Sequence, residues 1–288
     1  MSPRAWLLFA LSSVIWGVPY LFIKIAVDAG IAPGFVAWSR IALAAALVVP
    51  LAIHRHALAG LRNRASAIIG YTASEVAVPF VLIAMGERLI TSSLTAILIA
   101  TMPLMVALMS LRLVPGEHLT RTRALGLLIG LGGVIALLGV DVAGRPSELL
   151  GAGLVLVATL GYAIAPIIVS RRLADLDPLG PVAASLAVAS VALLPFAIAS
   201  WPPRMPGPLP LLAIAVLGVI CTALGLIVFF RLIAEAGPSR ASVITYVNPL
   251  VAVLVGVVAL GERISAVGIL GLLLILAGSW FSTGGSPH

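Results

Sequence analysis

Three ionisable side chains, Lys24, Arg40 and Glu75, stand inside otherwise apolar stretches of a 288-residue sequence. A charge at the centre of a bilayer costs roughly 2.5–3.5 kcal/mol even on the lenient insertion scale, so such groups mark ion or substrate paths by default. Two assignments are open for them. In the first, Arg40 and Lys24 form a cationic patch that attracts a carboxylate or another anion, and Glu75 binds a proton or an amine. In the second, Glu75 and Arg40 are a buried structural pair, and Lys24 snorkels to the interface.

Polar and aromatic side chains accompany these charges at helical spacing. Ser13, Trp16, Gly17, Tyr20 and Lys24 share one helical face, which suits either a cavity wall that stacks on a substrate or an aromatic belt. Ser242, Thr245, Tyr246 and Pro249 repeat the pattern near the C-terminus, with Asn248 beside them, and Thr101 before Pro103 is a weaker version. Proline removes one backbone hydrogen bond and frees a carbonyl near a cavity. Tyr162, Pro166, Thr222 and Tyr71 are further candidates, and Pro79 lies one turn from Glu75. The candidate substrate-binding set is therefore Trp16, Tyr20, Lys24, Arg40, Glu75, Thr101, Tyr162, Thr222, Tyr246 and Asn248. The candidate hinges are Pro79, Pro103, Pro166 and Pro249.

No enzyme is expected. The histidines, His54, His56, His118 and His288, fall in loops or at the terminus, without metal-ligand spacing beyond one His-x-His. No nucleophile–base set and no phosphate-binding glycine loop occurs, so no metal, cofactor or ATP is implied. Cys221 is the only cysteine and lies in an apolar run, which rules out an intrachain disulfide.

The elements that position these residues follow from composition. The chain is 61% hydrophobic and only 9% charged, against about 25% charged in soluble domains. The net charge of +7 is spread as isolated or paired arginines between apolar runs, not as the basic face that a nucleic acid needs. A spanning helix takes about 20 apolar residues. That ruler predicts helices at 5–27, 33–53, 65–85, 92–112, 122–140, 149–169, 179–199, 209–230, 240–260 and 265–283. The first resembles a signal peptide but is too long for one, and it reads as a span.

With the N-terminus inside, cytoplasmic connections hold Arg4, Arg55, Arg62, Arg64, Arg112, Arg121, Arg123, Arg171, Arg172, Arg231 and Arg240. Lys24, Arg88, Arg145, Arg204 and Arg263 lie opposite. That bias predicts two cytoplasmic termini. Ser93, Pro103-Leu104, Gly116-Glu117, Gly126 and Gly133 recur in order as Ser239, Pro249-Leu250, Gly261-Glu262, Gly271 and Gly278. Two five-helix repeats, 1–142 and 143–288, are expected, and an odd helix number makes the second inverted. Glycines such as Gly130, Gly132 and Gly133 read as helix-packing positions.

These residues resemble the EamA-type branch of the drug/metabolite transporter superfamily over essentially the whole chain. The resemblance rests on Trp16-Gly17 followed by Lys24, on Arg40, and on the Pro-then-Gly-Glu pattern. Leu260-Gly261-Glu262-Arg263 is its sharpest copy, and Pro115-Gly116-Glu117-His118 a looser one. The resemblance implies ten helices, a central substrate cavity and alternating access, and it names no substrate. Glu75 lies outside the family pattern.

The expectation is an all-α polytopic secondary transporter in a bacterial cytoplasmic membrane. It would export small metabolites such as amino acids, in contact with membrane lipids, with protons as a candidate coupling ion. A monomer or weak homodimer is expected. The rivals are an uncoupled facilitator, a drug exporter and a non-transporting scaffold or receptor component.

Overall fold

A computed structural model describes residues 1–113, 118–139 and 144–283, and among these the chain is helical with short connections and no strand. Ten helical segments follow one another. They are α1 (Pro3–Asp28), α2 (Pro33–His54), α3 (Leu61–Glu87), α4 (Ser92–Arg112), α5 (Arg121–Leu137), α6 (Pro146–Leu173), α7 (Leu179–Ala199), α8 (Pro208–Ala236), α9 (Ile244–Leu260) and α10 (Ala266–Ser282). Seven of them are long and apolar enough to cross a membrane by themselves, and α9 and α10 are shorter apolar helices. Helices suit this composition because lipid offers no partner for backbone N–H and C=O groups.

The sequence marks where helices begin. Proline occupies the first position of α1, α2, α6 and α8, where its missing N–H is not needed. At α4, α5 and α10 a hydroxyl caps the start. Thr91 accepts from Leu94 N, Thr120 from Arg123 N, and Ser265 from Gly268 N. Each satisfies one of the orphan donors of a first turn.

Several spans are not continuous α-helix. α1 breaks at Val18, ahead of Pro19, and α4 breaks at Ala100–Thr101, ahead of Pro103. Wider π turns interrupt α3 at Thr72–Ala77, α6 at Val169–Leu173 and α8 at Val216–Leu224. Pro79 follows the first of these and Pro166 precedes the second. Three of the four expected hinge prolines therefore adjoin an interruption. Pro249 does not, since α9 runs unbroken through it. The π turn in α8 contains no proline.

The helix pairings are reciprocal. α2 packs on α7, α4 on α9, and α5 on α10. The pair α1–α8 is matched by α6–α3, α1–α9 by α6–α4, and α2–α8 by α7–α3. Renumbering α1–α5 as α6–α10 and the reverse carries this set of pairs into itself. One departure is informative. The part of α1 beyond Pro19 packs on α3 and α4, whereas the end of α6 has no comparable packing on α8 or α9 among the described residues. The Lys24 end is thus the more tightly packed, while Arg171 and Arg172 at the opposite end are exposed.

Small residues set a close approach between α5 and α10. A Cβ on Gly126 would lie 2.5 Å from Ser282 N and 2.7 Å from Gly278 O, and one on Gly133 would lie 2.9 Å from Gly271 O. These atoms are backbone and cannot step aside. Gly132, on the open face, has nothing within 4 Å. Gly126→Val is therefore expected to lower stability by about 2 kcal/mol or more, from overpacking, while Gly132→Ala leaves it level or higher. Thermal unfolding of the two variants in detergent checks the contrast.

Candidate functional site

The middle of the molecule gathers polar groups from α1, α2, α3, α6 and α8. Arg40, on α2, is 8% exposed. Its Nε donates to Thr222 Oγ1 at 2.8 Å, and its guanidinium carbon lies 3.9 Å from the Phe80 ring centroid. Thr222 in turn donates to the Leu217 carbonyl at 2.8 Å, five residues back, a bond that the π turn of α8 makes possible. The arginine is thus aimed by a widened helix on one side and an aromatic face on the other. Its two terminal amino groups bond nothing among the described residues and are not sealed off.

Arg40 has Tyr20, Tyr162, Cys221 and Glu87 within electrostatic reach. Glu75, in the π turn of α3, lies within reach of Tyr71 and Tyr162. Tyr20, Tyr71, Glu75 and Tyr162 are each half-buried while surrounded by protein. They form one partly open polar cluster. Among the described residues, none of the three hydroxyls, nor the Glu75 carboxyl, bonds another protein group. Tyr20 and Tyr162 lie within reach of Arg40, and Tyr162 and Tyr71 within reach of Glu75, so Tyr162 links the arginine to the carboxyl. The cluster offers a cationic fork, a carboxylate and phenolic hydroxyls.

The structure separates the two sequence assignments. Arg40 and Glu75 are not an ion pair: Arg40 is held by Thr222 and Phe80 instead. Lys24 is not free to join a cationic patch. Its ammonium donates to the carbonyls of Glu87 at 2.7 Å and Ile90 at 3.3 Å, and pairs with Asp28 at 3.1 Å. It ties the end of α3 to α1.

Other expected residues serve the scaffold. Trp16 lends its indole N–H to the Cys221 carbonyl at 3.2 Å and stacks at 4.6 Å from Phe229, so it holds α1 on the π turn of α8. Thr101 is 2% exposed and donates to Leu98 O at 2.6 Å, which stabilises the break in α4. With its amide nitrogen turned towards α1, Asn248 donates to Ser13 O at 3.2 Å and Ile244 O at 3.0 Å. Tyr246 meets Thr283 at 3.2 Å and Trp280 at 6.0 Å between centroids, outside the Arg40 cluster. Its place near the loop end of α9 takes it away from that cluster.

Sequence reasoning missed three features. Phe80 is an unremarkable apolar residue until Arg40 is placed over it. Glu87 is fully buried although it falls just past the predicted third span. Glu262, from the Gly-Glu motif, reaches Ser92 N at 2.8 Å and Ser93 N at 2.9 Å, and also accepts from the Ser93 hydroxyl. It caps α4 while Gly261, at φ 66°, ends α9 in the left-handed conformation that glycine tolerates best. The matching Gly116-Glu117 lies outside the described residues. A concavity of about 580 Å³ between α3 and α6 is lined by apolar residues such as Leu82, Leu150 and Val157 and holds none of the polar set.

Comparison with known proteins agrees with this architecture. The profile of the EamA-like transporter family matches twice, over residues 4–139 and 149–284. An uncharacterised transporter of Archaeoglobus fulgidus is 28% identical over 286 residues, covering 96% of this chain and 97% of that one. The uncharacterised inner membrane transporter YedA of Escherichia coli K12 is 30% identical over 280 residues, covering 93% and 87%. One solved structure superposes with a TM-score of 0.69 over 98% of both chains at 20% identity, which shows a shared fold.

Proposed function

The chain belongs to the EamA-like transporter family, and from that premise we propose that it moves small zwitterionic metabolites, amino acids foremost, across the inner membrane. A transporter binds its solute rather than transforming it, and the polar cluster is built accordingly. The carrying observation is an unspent guanidinium fork on Arg40 and an unpaired carboxyl on Glu75, both within electrostatic reach of Tyr162. A planar guanidinium binds a carboxylate through two parallel hydrogen bonds. Glu75 complements an ammonium. Tyr20, Tyr71 and Tyr162 present faces and hydroxyls to the body of the solute.

The proposed cycle is alternating access between two inverted halves, 1–142 and 143–288. The double family match and the reciprocal helix pairings support that division. With both termini cytoplasmic, the tightly packed Lys24 end faces outwards and the Arg171 end faces the cytoplasm. The breaks at Val18 and Thr101 and the π turns in α3, α6 and α8 are the bending points. Glu75 exchanges an incoming proton for the departing ammonium, which makes the cycle a proton-coupled export.

Ligand-dependent thermal stabilisation of the purified protein tests the substrate class. A ligand that binds only the folded state raises stability as RT ln(1 + [L]/Kd). An amino acid is expected to raise the unfolding temperature more than the matching amine or carboxylic acid alone. Glu75→Gln is expected to remove the preference for the amine-bearing ligand and to abolish proton dependence of exchange. Equal stabilisation by bulky apolar cations and none by amino acids would assign the cleft to drugs instead.

A further inference from the structure

Glu87 is the last residue of α3 and is 0% exposed, and neither of its carboxyl oxygens has a hydrogen-bond partner. The transport cleft does not account for it. Glu75 is reached by solvent, whereas Glu87 is sealed at the Lys24 end of the molecule. The groups that act on it come from several elements. α1 brings Lys24, Asp28 and Tyr20, α2 brings Arg40, and the α9–α10 connection brings Glu262. α6 contributes only Gly151 and Val155, packed on Gly86. Arg88, the next residue, is exposed.

The disposition of Lys24 is decisive. An ammonium has three N–H donors. Lys24 bonds the Glu87 carbonyl, the Ile90 carbonyl and the Asp28 carboxylate, and leaves the Glu87 carboxyl alone. Glu262 is equally occupied, by Ser92 N and Ser93 N. The unspent donors within electrostatic reach, the Arg40 amino groups and the Tyr20 hydroxyl, do not bond the Glu87 carboxyl either. A carboxylate stripped of water and of every donor costs far more than a neutral acid in the same place.

We propose that Glu87 is a proton-binding site that latches the Lys24 end: the proton is held while α1 packs on α3 and α4, and is released as that end opens. Opening withdraws Lys24 from the two carbonyls and admits water to Glu87, so the carboxylate becomes solvated in the open state alone. The O–H bond of the acid breaks and its proton passes to water; closure reverses the transfer. Protonation therefore favours the shut end and deprotonation the open end, since a ligand shifts an equilibrium only by its differential affinity for the two states. This rests on the proposal that the two ends open in turn, and it gives the coupling proton a second site, apart from Glu75.

Hydrogen exchange read by mass spectrometry on the nanodisc-embedded protein, without any solute, tests the latch. The segment from Gly86 to Leu94 is followed from mildly acidic to mildly alkaline pH, with the α5–α10 pair as internal reference. In the wild type, protection relative to that reference is expected to fall by up to about tenfold per pH unit, the limit for one linked proton. Glu87→Gln imitates the neutral acid and should stay protected throughout, and Glu87→Asp should keep the pH response. Infrared difference spectra of wild type against Glu87→Gln should show one protonated carboxyl at acidic pH. A flat wild-type profile, or no such carboxyl band, overturns the latch whether or not the glutamine variant folds. A flat profile in a protein that still exchanges amino acids defeats the latch alone. A pH-responsive segment in a protein that exchanges no solute leaves the latch standing and defeats the transport reading.

Discussion

Arg40→Lys is expected to reduce solute exchange by about a hundredfold while the protein remains folded. Lysine preserves the charge but not the geometry. Arg40 uses Nε to bond Thr222 and lays its plane over Phe80, which leaves a flat fork of two amino groups for the solute. An ammonium is a point charge that cannot satisfy Thr222 and chelate a carboxylate at once. The lost bidentate, charge-assisted pair corresponds to roughly 3 kcal/mol, about two powers of ten in affinity. Thr222 keeps its bond to Leu217 in the variant, so the π turn of α8 survives, and gel filtration and thermal unfolding should match the wild type. Exchange in reconstituted vesicles supplies the comparison. An Arg40→Lys protein that exchanges at the wild-type rate would remove Arg40 from the binding cleft.

Glu262→Ala is expected to produce the largest loss of stability among single surface-loop substitutions, about 2–4 kcal/mol from the loss of a charged cap and its hydrogen bonds. The carboxylate joins the α9–α10 connection to the first turn of α4, accepting from both backbone N–H groups at Ser92 and Ser93. Gly256 makes room for it: a Cβ there would sit 2.7 Å from Glu262 Oε2. Glu262→Gln should fall between wild type and alanine, because one amide oxygen can still accept while the NH2 group cannot. Thermal unfolding in detergent measures the order. Alanine and wild type unfolding together would mean that water replaces the carboxylate at no loss.

Reading helices from this sequence succeeds because lipid leaves so little choice. Apolar length, proline at helix starts, and Ser or Thr caps all point the same way, and all ten predicted spans correspond to helices. The reciprocal pairings could be anticipated only in part, from the recurring Pro and Gly-Glu positions. The π turns escaped because nothing in Val216–Leu224 distinguishes it from ordinary apolar helix. Only the partners reveal why it widens, namely Trp16 at the Cys221 carbonyl and Thr222 at the Leu217 carbonyl.

The site was legible as a set of residue types and misread in its pairings. Arg40 and Tyr20 lie within electrostatic reach of Tyr162, as does Glu75. Lys24 was indistinguishable in sequence from a substrate ligand, since its carbonyl partners at Glu87 and Ile90 are backbone and carry no residue signature. Glu87 was overlooked because a glutamate beside an arginine at a span end reads as interfacial. Its burial depends on α1 folding over it, a tertiary fact. Tyr246 shows the opposite error: its helical spacing with Thr245 and Pro249 is real, but its own ring and hydroxyl meet Trp280 and Thr283.

Solute counterflow in proteoliposomes loaded with a mixed amino-acid panel, followed by mass spectrometry, tests the central claim most directly. Specific exchange of one or a few zwitterionic amino acids is expected with the wild type, and its loss with Arg40→Lys. A folded wild-type protein that exchanges no amino acid across the panel would contradict the account.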